Sequence, residues 1–99
     1  MSANSEIVNP GAVSFNAEVT LPGDVDLHAR PAAEVVRAAA GFASTVEVRV
    51  DDRVADATSM LALLTLGIRR GTTVTLHAEG EDAARAVQAV VDAISNLQD

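Results

Sequence analysis

Between Val13 and Leu21 apolar and polar residues alternate strictly, with Val13, Phe15, Ala17, Val19 and Leu21 on one side and Ser14, Asn16, Glu18 and Thr20 on the other. A period of two is that of a half-buried strand. Pro22-Gly23-Asp24 interrupts it, and from Ala32 to Ala40 the spacing changes. Ala32, Val35, Val36 and Ala39 now share a face, Glu34 and Arg37 fall off it, and Gly41 follows, which predicts an amphipathic helix lying on one side of a sheet. Alternation returns from Thr45 to Val50 through Val46, Val48 and Val50, and Asp51-Asp52 links this strand to a short one at Arg53 to Ala57 as a hairpin. Ser59 to Leu66 reads as a short helix that is apolar nearly all round, with Met60, Leu61 and Leu64 on one side and Leu63 and Leu66 on another. That is more than one buried stripe can use, so one apolar side should stay exposed. Thr72 to Ala78 is a fourth strand with Val74, Leu76 and Ala78 inward, and Ala83, Val87, Val90, Val91, Ile94 and Leu97 form a closing helical stripe. The order βαββαβα, with hairpin-length links and one polar face per strand, predicts an α+β fold: a four-stranded antiparallel sheet covered on one face by three helices.

Residues 1 to 11 are polar and contain the turn signature Asn9-Pro10-Gly11, so they read as a flexible leader before a domain spanning 12 to 99. The net charge of −7 and an aromatic set of two phenylalanines exclude the basic, stacking surface of a nucleic-acid binder. Without cysteine there is no disulfide, thiolate zinc site or thiol nucleophile, which fits a reducing cytoplasm. The start lacks a signal-peptide pattern, and nowhere do about 18 apolar residues run together, so a cytoplasmic monomer without membrane insertion is expected. His28 and His77 alone do not make a zinc site, and no metal or cofactor is expected.

Candidate chemistry concentrates in Asp26-Leu27-His28-Ala29-Arg30-Pro31-Ala32, where a strand gives way to a helix. With His28 just before the first turn, its ring lies beside the N–H groups of Ala29 and Arg30, which have no intrahelical acceptor. Pro31 suits a first turn because the donor it lacks would have been unpaired there anyway. Two amides and the Arg30 guanidinium thus converge where a phosphoryl group on the ring would sit, a charge the helix terminus favours by roughly 0.3–1 kcal/mol. No serine, cysteine or carboxylate completes a hydrolytic triad, so the site would accept and pass on a group rather than turn over a substrate. The plainer alternative is a surface histidine that caps a helix.

Leu27-His28-Ala29-Arg30-Pro31-Ala32, followed by Ser59-Met60-Leu61 and Leu66-Gly67, resembles HPr, the histidine-containing phosphocarrier of the bacterial phosphoenolpyruvate-dependent sugar phosphotransferase system. The resemblance spans about residues 13 to 97 and implies an open-faced β-sandwich with His28 phosphorylated on Nδ1 by enzyme I and donating to enzyme IIA domains. It also implies that Arg30 contacts the phosphate, and that Met60, Leu61, Leu64, Thr65, Ala29 and Ala33 form the partner surface. Ser59 heads the short helix, where serine is a favoured cap, and matches a serine that a dedicated kinase phosphorylates in some family members. Two alternatives stay open: a specialised regulatory relative serving a nitrogen branch or a dihydroxyacetone kinase system, and a non-catalytic interaction module.

Several positions depart from the family. Asp26 stands where a glycine usually precedes the leucine, and Val25 where a short polar residue is common; an acid at Asp26 would repel phosphate. Ala40 and Ala62 replace frequent lysines, leaving Arg37 as the basic contact on the first helix and weaker electrostatic steering of partners. His77 is out of phase with the inward face and is expected in solvent. Arg69-Arg70 reads as a solvated turn, and Glu81-Asp82 as acids suited to the start of a helix.

Overall fold

Seven elements follow the predicted order in the computed structural model, which describes residues 13–98. They are β1 (Ser14–Thr20), α1 (Ala29–Ala40), β2 (Thr45–Val50), β3 (Arg53–Asp56), α2 (Met60–Leu66), β4 (Thr73–Glu79) and α3 (Ala83–Ser95). The leader expected at residues 1 to 11 lies outside the described residues. All strand pairs are antiparallel, in the spatial order β1-β4-β2-β3. Only β2 and β3 are joined as a tight hairpin: Val50 pairs with Arg53, and Asp51 takes a left-handed φ of 55° in the turn. The last strand inserts between the first two, so hairpin-length links do not describe the rest of the sheet.

Every second residue of the strands faces the helices. Val46, Val48, Val74, Leu76 and Ala78 are buried there against Ala32, Val35 and Ala39 of α1, Leu63 and Leu66 of α2, and Ala83, Ala86, Val87, Val90 and Ile94 of α3. Each large side chain so buried stabilises the fold by about 1.5–3 kcal/mol relative to its exposed state. The inward face expected for β1 holds at Val19 and Leu21 but not at Val13 and Phe15, which are 47% and 43% exposed. Alternation fixes the side of the sheet on which a residue lies, whereas burial also needs a helix above it.

The helix ends follow from local chemistry. Ser59 caps α2 by accepting the Ala62 N–H at 3.2 Å, and Gly67 closes it at φ 62°, its N–H reaching Leu64 O at 3.1 Å. Leu97 lies just past α3, folds back with its N–H on Ile94 O at 3.2 Å, and stays buried. Asp82 was expected to serve its own helix, yet its side chain makes no cap bond to α3. It turns instead to the loop before β2, accepting the N–H groups of Ala43 and Ser44, each at 2.9 Å, and the Ser44 hydroxyl. Gly80 permits this approach, because a Cβ there would collide with the Ser44 side chain.

Candidate functional site

His28 reaches the surface because its neighbours do not. Val25 and Leu27 are buried, Asp26 and His28 alternate outward, and on the far side Pro31 and Ala32 are buried again. The chain is thus pinned on both sides of the histidine by apolar anchors, and Val25, a departure from the family at a position often polar, is a core residue. His28 occupies the cap position of α1 in extended backbone, with φ −87° and ψ −168°, and its ring makes no cap hydrogen bond to the helix. The plain role of a capping histidine therefore does not account for it. Its carbonyl accepts the Ala32 N–H at 2.9 Å, which closes the first turn. The helix starts at Ala29, three residues before the apolar run suggested, and the proline falls within that turn. Ala29 and Arg30 are then the two first-turn residues whose N–H groups have no acceptor in the helix.

Arg30 follows two positions on, exposed and without a hydrogen bond or ion pair among the described residues. Its side chain lines a groove of about 650 Å³ between the start of α1 and the end of α3, together with Glu34, Asp92 and Asn96. Ala29 is exposed and Ala33 half-buried on the same turn and the next. Arg37 is exposed further along but pairs with Glu34 at 2.6 Å, a surface contact of roughly 0.3–0.5 kcal/mol that an incoming partner can exchange.

The short helix α2 packs against α1 and carries the second group of expected residues. Leu63 and Leu66 are buried as predicted, whereas Leu61 is 76% and Leu64 38% exposed. Met60 is half-buried against the core, and Thr65 is exposed with its hydroxyl on Leu61 O at 2.8 Å. An apolar side is therefore left over. Leu61, Ala62 and Thr65 continue into a surface depression of about 510 Å³ bounded by Val54, itself 53% exposed, and by Arg53. Ser59 stands at the rim of this depression.

Two expectations about charged residues, at Asp26 and His77, are revised. Arg69-Arg70 is an exposed turn, as expected, but it also has a partner: the Asp26 carboxylate accepts the Arg70 backbone N–H at 2.7 Å and its Nε at 3.3 Å, and Arg69 Nε lies 3.8 Å away. The Arg70 bonds, side chain first and backbone second, hold the Asp26 carboxyl below the ordinary carboxylate value. Asp26 is consequently a paired charge rather than a bare one beside His28. His77 does lie on the open face of the sheet, but it is held there, with Nδ1 2.6 Å from Asn16 Oδ1 and Nε2 3.1 Å from Glu79 Oε2. Its side chain is 17% exposed, which is not a solvated histidine. The opposite charges of Asp26 and the arginine pair were visible in the chain, but a contact across 44 residues has no local periodicity to reveal it.

Among the described residues no group of histidine, cysteine, aspartate and glutamate side chains could hold a metal ion, and no helix is long and apolar enough to cross a membrane. Residues 15–96 match the family described as "PTS HPr component phosphorylation site". The chain is 34% identical to the phosphocarrier protein HPr of Lysinibacillus sphaericus over 80 residues, covering 81% of this chain and 91% of that one. With the HPr of Haemophilus influenzae it shares 36% identity over 84 residues, 85% and 99% of the two chains. The crystal structure of an HPr from Bacillus anthracis superposes with a TM-score of 0.78 at 28% identity, covering 84% of this chain and 99% of the other. The fold is accordingly the open-faced sandwich of those proteins. The match includes the turn that presents His28, and the chain belongs to the HPr family of phosphocarriers of the phosphotransferase system.

Proposed function

We propose that His28 is the residue that carries the phosphoryl group, bonded through Nδ1, with enzyme I as donor and enzyme IIA domains as acceptors. The observation that supports this most is the exposed His28 at the head of α1 with, two residues on, an exposed arginine that has no hydrogen bond or ion pair among the described residues. The neutral imidazole attacks phosphorus with its Nδ1 lone pair; an N–P bond forms as the bond between phosphorus and the donor breaks, and the donor keeps that electron pair. Passing the group on reverses the roles, with an acceptor nucleophile displacing His28. There is little covalent chemistry for the protein to perform beyond this, so its contribution is position and charge. The N–H groups of Ala29 and Arg30 and the Arg30 guanidinium stabilise the equatorial oxygens, and bidentate geometry suits arginine to that task.

Partners dock on the apolar side of α2 and the adjacent turns of α1. Leu61, Leu64, Met60 and Thr65 supply the contact, Ala29 and Ala33 allow close approach beside the histidine, and Arg37 offers a charge at the edge. Ser59 caps α2 and is in addition a regulatory phosphorylation site for a serine kinase: a phosphate there is electrostatically tolerated at a helix start, yet places charge on the rim of the docking surface. Incubation with enzyme I and phosphoenolpyruvate, followed by addition of enzyme IIA, tests the reading. An acid-labile phosphate that appears on the wild type, is absent from His28→Ala, and moves to enzyme IIA supports it. Labelling that persists in His28→Ala contradicts it.

A further inference from the structure

Asp26 and Arg70 join the turn that bears His28 to the loop before β4. The carboxylate receives the Arg70 backbone N–H at 2.7 Å, Nε at 3.3 Å and Nη2 at 3.4 Å, and Arg69 Nε lies at 3.8 Å. Between these contacts the Leu27 N–H donates to Ile68 O at 2.9 Å, and the His28 N–H folds back to Asp26 O at 2.9 Å. One residue therefore does two things at the turn. Its carbonyl shapes the backbone at His28, and its side chain ties that backbone to a second loop. A carboxylate two residues before a phosphorylated ring would otherwise repel a group bearing up to two negative charges.

We propose that Arg70 is a positioning residue for phosphotransfer, which fixes the His28 turn through Asp26 and cancels the charge of that carboxylate, so that an acid is tolerated beside the acceptor. The proposal rests on the reading of His28 as the phosphoryl acceptor. It implies an asymmetry: losing the Arg70 side chain alone leaves the carboxylate with the Arg70 backbone N–H and the more distant Arg69 guanidinium, its charge cancelled less well, whereas losing both charges leaves no carboxylate to repel phosphate.

The test compares wild type, Arg70→Gln, Asp26→Asn and the double variant, labelled by enzyme I and phosphoenolpyruvate at low and at about 1 M salt, where the Debye length falls to about 3 Å. Arg70→Gln should lower kcat for phosphorylation about tenfold at low salt, the scale of a close unscreened charge acting on a dianion. Adding Asp26→Asn should restore most of that loss, and high salt should shrink it. A purely structural role for Arg70 predicts neither recovery, since the double variant removes more contacts than the single one. The clamp is overturned if wild type is labelled on His28 while Arg70→Gln matches it within about twofold at low salt, or if the double variant is no faster than Arg70→Gln. If His28 of the wild type takes no label, the reading of the acceptor fails and the clamp fails with it.

Discussion

The Asp82 carboxylate holds Ser44 at two points, accepting its backbone N–H at 2.9 Å and its hydroxyl proton through the same Oδ1. With Oδ2 on the Ala43 N–H at 2.9 Å, one side chain at the start of α3 thereby satisfies the loop between α1 and β2. Ser44 is the buried polar residue at this junction, and leaving its groups unpaired would incur their desolvation.

This junction makes the fold sensitive to acid. The Ser44 side chain and then the Ala43 backbone hold the Asp82 carboxyl below its ordinary value of 3.8. The unfolded chain therefore takes up a proton at Asp82 before the folded chain does. Its stabilising contribution is complete above pH 3.8 and disappears as the pH falls through the lower folded value. Asp26, also held down by its partner Arg70, adds in the same direction. Thermal melts from pH 6 to 2.5 should show Asp82→Ala less stable than wild type at neutral pH and the difference narrowing in acid; a constant difference would contradict the assignment.

The two sides of α2 should separate stability from docking. Leu63 is fully buried, so Leu63→Ala should cost about 2–5 kcal/mol in urea unfolding. Leu61 is 76% exposed, and Leu61→Glu should change stability by no more than about 0.5 kcal/mol. The same variant should raise the KM for phosphorylation by enzyme I. An unchanged KM would remove Leu61 from the partner surface.

At Ser59 the cap and the proposed regulatory role have different signatures. Ser59→Ala removes the bond to the Ala62 N–H and should lower stability by about 0.5–2 kcal/mol, whereas Ser59→Asp retains a capping oxygen and should stay near wild type. If charge at the rim controls docking, Ser59→Asp alone should slow phosphorylation; equal slowing by both variants would point to helix fraying.

The strands, helices and exposed side of α2 were legible because each depends on spacing within a short segment. Val46, Val48 and Val50 show it for β2, and Leu63 and Leu66 against Leu61 and Leu64 show it for α2. The helix start around His28, Arg30 and Pro31 was legible for the same reason: a loop-to-helix turn needs only neighbours to define it. What spacing could not show was reach across the chain. Asp82 pairs with a loop 38 residues away, Asp26 with Arg70 across 44, and His77 with Asn16 across 61, each fixed by sheet order and not by any local period. Phe15 failed for a related reason, its side of β1 being correct while the helices that would bury it do not cover it.

In the proposed function the phosphoryl group resides on one atom, Nδ1 of His28. Long-range proton–nitrogen correlation of the protein after reaction with enzyme I and phosphoenolpyruvate reads this directly, because each ring nitrogen of His28 and of His77 gives its own signal. A phosphorylation shift should appear at His28 Nδ1 with His77 unchanged. A phosphate on His28 Nε2 or on His77, or an unmodified His28 in a chain that still passes phosphate to enzyme IIA, would contradict it.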